Sequence, residues 1–206
     1  MVSNQDMNRH REPGCTGVTP DKKYYERWKT NAVILLYLRE KTNIPLPRLQ
    51  HTFEDDGAFY FSTELVPGVS MSQLAEDQKQ VVTKELLTHV ATLKSLRSDT
   101  PGHHSCWKPK PEIEQGGYVF CHNDLGQHNV IVDPETLKIN AIIDWEYGGF
   151  WPEWFERPYW ERKGPSAPLS GEEDDTERCR EWLLAHCVEV EMEHIRSLKE
   201  KLGGQS

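Results

Sequence analysis

Residues 119–133 read VFCHNDLGQHNVIVD, and residues 139–146 read INAIIDWE. An apolar run delivers His122 and Asp124, and Asn129 follows five residues after that carboxylate. A second apolar run delivers Asp144, twenty residues beyond Asp124. The stretches 118–122, 130–133 and 138–144 have the short apolar texture of buried strands. Asp133-Pro134-Glu135-Thr136 between the last two is a turn sequence. Two strand–loop units therefore each present a carboxylate.

Such a set suits phosphoryl transfer. That reaction needs a carboxylate to orient an attacking hydroxyl and take its proton, and oxygen ligands for magnesium bridging the nucleotide phosphates. Magnesium is a hard ion that accepts carboxylate and amide oxygens. Asp124 is the candidate base, and Asn129 and Asp144 are the candidate metal ligands. Alone, either aspartate reads as a turn carboxylate capping a loop. Their spacing, with His122, Asn129 and the flanking apolar runs, favours the site.

The flanking sequence is that of a soluble globular chain. Its 206 residues hold seven Trp, seven Tyr and six Phe, and 28% are charged. No apolar run approaches the ~20 residues that span a bilayer, and residues 1–11 carry no apolar segment of a signal peptide. The five cysteines, Cys15, Cys106, Cys121, Cys179 and Cys187, lack a disulfide framework and read as reduced thiols of a cytoplasmic protein. A net charge of -9 argues against nucleic acid as a partner. The same charge attracts cationic small molecules. Glu172-Glu173-Asp174-Asp175 reads as a solvated loop.

Upstream, 1–18 is polar and expected to be disordered. Thr19-Pro20 reads as a helix start. A helix is predicted from Asp21 to Lys41, ended by Pro45 and Pro47. Strands at 48–53 and 58–66 flank an Asp-Asp-Gly hairpin turn, with a short helix at 71–75. Val82, Leu86, Val90, Leu93 and Leu96 predict a helix over 77–97. Residues 98–117 read as a loop, and a last helix is expected from about Thr176 to Leu202. His103, His104 and Cys106 lack a fourth ligand and read as a polar loop. Cys121 reads as a small buried residue. The Trp151–Trp160 cluster reads as packing for the helix that follows, with a pocket for a cationic amine as the alternative.

The loop 122–129 is close to the kinase signature of His-x-Asp-Leu with Asn five beyond the Asp. Asp144-Trp145-Glu146 stands where protein kinases have Asp-Phe-Gly. In this it resembles the aminoglycoside phosphotransferase and choline kinase-like family, which acts on small molecules. Residues 38–47 (LREKTNIPLP), the Asp-Asp-Gly hairpin and 64–68 (ELVPG) are similar to fungal members of that family, and about residues 24–200 can be laid on its pattern with gaps. The resemblance implies an α+β, protein kinase-like fold with a mostly helical C-terminal lobe and a truncated N-terminal lobe. Residues 19–206 then form one phosphotransferase domain, with 19–66 the remnant N-lobe and hinge and 67–206 the C-lobe.

It further implies ATP and Mg2+ as cofactors and a small-molecule hydroxyl acceptor, cationic ones included, with no membrane or nucleic-acid partner. Glu64, Leu65 and Val66 are the hinge candidates for holding adenine. His122 takes a structural role, hydrogen-bonding the loop backbone. Glu146 is a weaker candidate, for a substrate amine or loop support, and His128 is incidental or substrate-facing. The family's Gly-rich hairpin and strand lysine are not evident upstream, where Lys22 and Lys23 sit at the helix. Asn31 occupies the position of the pairing glutamate, with Glu26 and Glu40 off the matching place. A catalytically impaired binding module is accordingly the alternative to an active enzyme.

Overall fold

The computed structural model describes residues 22–55, 58–102, 107–109 and 117–189. Helix α1 (Lys22–Lys41) buries Ala32, Ile34, Leu35 and Leu38, spaced at three and four along one face. Arg39 and Lys41 lie in its last turn, where cations meet the negative end of the helix dipole. The Thr42 amide and hydroxyl both donate to the Leu38 carbonyl, at 2.8 and 2.7 Å, and close the helix. The chain then extends through Pro45, whose carbonyl accepts from the Ile142 amide at 2.9 Å. The end of α1 is thereby tied to the strand that leads to Asp144. The N-cap expected at Thr19 lies outside the described residues.

A hairpin follows, β1 (Leu49–Asp55) and β2 (Ala58–Thr63), with Asp55 paired to Ala58. The first strand runs two residues beyond its predicted end, and the second stops three residues short of Val66. The cause is local. The Arg48 amide donates to the Glu64 carboxylate at 2.9 Å instead of to a partner backbone, so the ladder ends there. Trp28 of α1 packs edge-on against Phe61 of β2, with ring centroids 5.8 Å apart.

Gly68 adopts φ +126°, and a Cβ at this position would stand 2.5 Å from the Val132 carbonyl oxygen. Only glycine suits that backbone and that approach. It admits β3 (Val69–Ser70) to the edge of a sheet with β7 (Val130–Val132) and β8 (Ile139–Ile142), ordered β3-β7-β8. A single 3-10 turn over Met71–Gln73 leads to helix α2 (Glu76–Ser95), which buries Val82, Leu86, Val90 and Leu93. A second sheet orders β4 (Arg97–Ser98), β6 (Tyr118–Cys121) and β9 (Gly149–Trp151) as β4-β6-β9.

Two expectations fail here. Residues 98–117 are not simply a loop, since Ser98 belongs to β4 and β5 (Trp107–Pro109) pairs with β10 (Cys187–Glu189). The last helix, α3, covers Thr176–His186 and then gives way to β10. The His186 ring bonds the Trp182 carbonyl at 2.9 Å, and the sequence turns to Cys-Val-Glu-Val. A β-branched stretch that finds a pairing strand takes the extended form whatever its helical pattern. Residues 190–206 lie outside the described part. From residue 67 on, the described chain combines α2 and α3 with eight short strands.

The core joins both sheets to both longer helices. Leu38, Met71, Leu86, Leu125, Val130, Ile142 and Trp145 are fully buried within it. The acidic run near 172–175 is not merely solvated, because Glu172 pairs with Arg162 at 2.6 Å and Asp175 with Arg157 at 3.4 Å. Among the described residues, no helix is long and apolar enough to cross a membrane.

Candidate active site

Strand β6 is buried at all four residues and ejects the chain into the turn that carries Asp124. Asn123 sits at φ +65°, and Asp144 itself at φ +66°. Left-handed backbone at non-glycine residues is uncommon, and Asn and Asp bear it most readily. The two acidic loops therefore bend sharply just before Asp124 and at Asp144.

His122 is fully buried. Its Nδ1 accepts from the Asp124 amide at 3.2 Å, which leaves Nε2 to donate to the Ile143 carbonyl at 3.0 Å. Burial pushes its pKa down to about 4, so the ring is neutral at physiological pH. The ring also packs on Trp145, with centroids 4.4 Å apart. Trp145 in turn donates its indole N–H to the Ile142 carbonyl at 2.9 Å. His122 thus acts on the backbone of both loops.

Asn129 is buried in a 3-10 turn spanning Gln127–Asn129. Its Nδ2 donates to the Asp124 carbonyl at 2.8 Å and to Asp124 Oδ2 at 3.2 Å. Its main-chain carbonyl accepts from the Ile143 amide at 3.0 Å. Residue Ile143, immediately before Asp144, is therefore bonded at its amide by Asn129 and at its carbonyl by His122.

The Asp144 side chain is exposed. Its carboxyl is nevertheless raised above the ordinary range, first by the protein atoms crowding it and then by the Asp124 carboxylate. Two acids on adjoining loops, with an amide between them, could hold a hard divalent cation that retains waters. No group of three or more His, Cys, Asp or Glu fit for a metal occurs among the described residues.

His128 is exposed, with Nε2 4.0 Å from Asp124 Oδ1. Glu146 pairs with Arg27 of α1 at 3.3 Å, and the Arg27 guanidinium lies over the Tyr147 ring, 4.7 Å from its centroid. Cys121 is fully buried, which raises its thiol and keeps it from acting as a nucleophile. Trp151 stacks on Phe155 at 5.6 Å and meets Trp182 of α3 at 6.3 Å. That part of the aromatic cluster packs a helix. His103, His104 and Cys106 lie outside the described residues.

The Glu64 amide donates to the Arg48 carbonyl at 2.9 Å, and its carboxylate is engaged by Arg48. The Leu65 side chain is 85% exposed, while Val66 is half-buried. A chain of bonds still leads from the hinge to the site. Asn140 Nδ2 holds the Pro67 carbonyl at 2.9 Å, and Ser70 Oγ donates to the Gln127 carbonyl at 3.1 Å.

Sequence reasoning missed Glu156. Its Oε2 accepts from the amides of His122 and Asn123, the latter at 3.5 Å. Its Oε1 is sealed from solvent without a hydrogen-bond partner. Burial raises its pKa to about 7, against the two amide bonds that favour the anion. The carboxylate therefore holds the bend before Asp124 from beneath. Its only sequence signal was a glutamate inside an aromatic stretch.

Known proteins resemble this chain in sequence. The chain is 28% identical to an aminoglycoside 3'-phosphotransferase of Streptomyces ribosidificus, over 49% of this chain and 52% of that protein. It is 24% identical to an aminoglycoside 3'-phosphotransferase of Streptomyces fradiae, with the same shares covered. The chain thus spans about half the length of the curated relatives it matches. Residues 72–156, which contain His122, Asp124, Asn129, Asp144 and Glu156, match the model of the phosphotransferase enzyme family.

Proposed function

We propose that this chain moves the γ-phosphoryl group of ATP to a hydroxyl of a small molecule, with Mg2+ as cofactor. The observation that carries the reading is the cross-linked pair of loops: Asp124 and Asp144 are held by His122 and Asn129 through both ends of one residue, Ile143. Asp124 orients the acceptor hydroxyl and takes its proton as the oxygen attacks phosphorus. The bond to the bridging oxygen of ADP breaks in the same displacement. Asn129 and Asp144 would hold magnesium, which supplies charge neutralisation at the phosphates when bound. With Nδ2 of Asn129 turned to Asp124, its Oδ1 is the atom left for the ion. The backbone of Glu64, Leu65 and Val66 is our candidate for the adenine contact.

The relatives' names point to aminoglycosides as the acceptor class, and a net charge of -9 suits such cations. A cytoplasmic setting, with its ATP and reduced thiols, belongs to the same reading.

Purified protein should consume ATP only with magnesium and an acceptor. Asp124→Ala should lower turnover by about 10²–10⁴-fold, the usual worth of a positioned base. Equal ATP loss by wild type and variant would sink the mechanism. A second reading, a binding module without turnover, is favoured by one observation: buried Asn31 cannot form the helix ion pair. It predicts no rise in melting temperature with millimolar Mg-ATP, since stabilisation follows occupancy.

A further inference from the structure

The buried face of α1 continues toward the carboxylates. Leu38, Ile34 and Asn31 are buried along it, and Arg27 lies one turn before Asn31 on the same face. The helix packs directly on the loop after Asp144, since a Cβ at Gly148 would lie 3.0 Å from Ile34 Cδ1. That contact fixes where Arg27 can reach. Its guanidinium meets Glu146 Oε1 at 3.3 Å and covers the Tyr147 ring. Its side chain is 22% exposed.

The Arg27–Glu146 bond is long. Charge-assisted N–H···O bonds settle near 2.7–2.9 Å, and arginine committed to a carboxylate is commonly bidentate. Here, among the described residues, one nitrogen makes one stretched contact, while the guanidinium carbon lies over the Tyr147 ring. Among the described residues, most of the five N–H donors of the guanidinium are thus left for another planar or tetrahedral anion. The neighbouring loop offers Asp144 and Asp124, where a metal-bound phosphate would sit under the reading above.

We propose that Arg27 contacts the phosphate chain of the bound nucleotide, with Glu146 as the partner that parks it when the site is empty. The cation then comes from the helix and the acid from the loop after the metal ligand, so that Asn31 needs no charge. This rests on the nucleotide-binding reading and names a group within it.

The test is titration of the full chain with Mg-ATP, for wild type, Arg27→Met and Glu146→Gln, each checked for a cooperative melt. Arg27→Met keeps much of the apolar stem over Tyr147 and should weaken Mg-ATP about tenfold or more, the worth of a lost charge-assisted bond. Glu146→Gln removes the competing acid and should leave affinity unchanged or tighter. A purely structural ion pair predicts comparable weakening by both variants, and that outcome overturns the proposal, as does unaltered affinity in Arg27→Met. If Arg27→Met does not fold, the charge-removing Arg27→Gln takes its place, with the same weakening expected beside unchanged or tighter binding by Glu146→Gln. Wild type that binds no Mg-ATP overturns the nucleotide reading itself. Binding without turnover leaves Arg27 in place and removes only the role of Asp124.

Discussion

The Asn129 side-chain amide donates to two oxygens of Asp124, the carbonyl at 2.8 Å and Oδ2 at 3.2 Å. One side chain therefore fixes both the turn and the carboxylate proposed as base. Asn129→Ala removes both bonds and the oxygen proposed for magnesium. Turnover should fall about tenfold or more, as for other groups that orient a ligand or base. The magnesium concentration for half-maximal rate should rise in parallel. A fall in rate with unaltered magnesium dependence would remove Asn129 from the metal site.

His122 makes the protein sensitive to acid. Its folded pKa, about 4, lies below the ordinary 6.5. The stability it contributes is complete above pH 6.5 and is lost as pH falls toward 4, because the unfolded chain takes up the proton first. The melting temperature should fall across that window. His122→Gln should melt lower than wild type at pH 7, and the gap should narrow by pH 4.5. A constant gap would contradict the neutral, doubly bonded ring.

Glu156 works in the opposite direction. Its carboxyl is protonated in both states below about pH 4.5 and ionised in both above about pH 7. Between these values only the folded chain holds the proton, so stability falls as pH rises, by at most about 1.4 kcal/mol per unit. Glu156→Gln abolishes that titration. Measured against the variant, wild type should lose ground from pH 5 to pH 8. Parallel melting curves at both pH values would refute the buried-acid account.

Gly68→Ala should destabilise the chain by about 1–3 kcal/mol, the scale of a forced left-handed residue. The added methyl group also meets the Val132 carbonyl oxygen. Denaturant midpoints measure the loss. The β3–β7 pairing lies between the hinge and Gln127, so Mg-ATP affinity should drop as well. A neutral substitution would show that β3 is free to move away from β7.

Much of this was legible because the decisive residues are contiguous. The strands at 118–121, 130–132 and 139–142 each carry a short apolar run that admits few other readings. The α2 stripe of Val82, Leu86, Val90 and Leu93 is equally local. What stayed hidden depends on partners far away in the chain. Nothing near Trp107–Pro109 marks it as a strand until β10 arrives beside it. Arg27 and Glu146 are 119 residues apart, so their pairing has no spacing to read. Glu156 resembles any surface glutamate until His122 and Asn123 turn their amides toward it. The end of β2 was misjudged because a side chain, that of Glu64, substitutes for a backbone partner.

Ile143 has no reactive atom, yet both its amide and its carbonyl are bonded by the loop carrying Asp124. The backbones of the two aspartate loops consequently share one frame. A nucleotide cannot bring them together by closing one loop on the other. Any adjustment to phosphate length or charge has to come from groups outside the frame. Substitutions at Ile143 that keep its backbone should then be silent in catalysis, whereas proline there, which deletes the amide, should uncouple the pair.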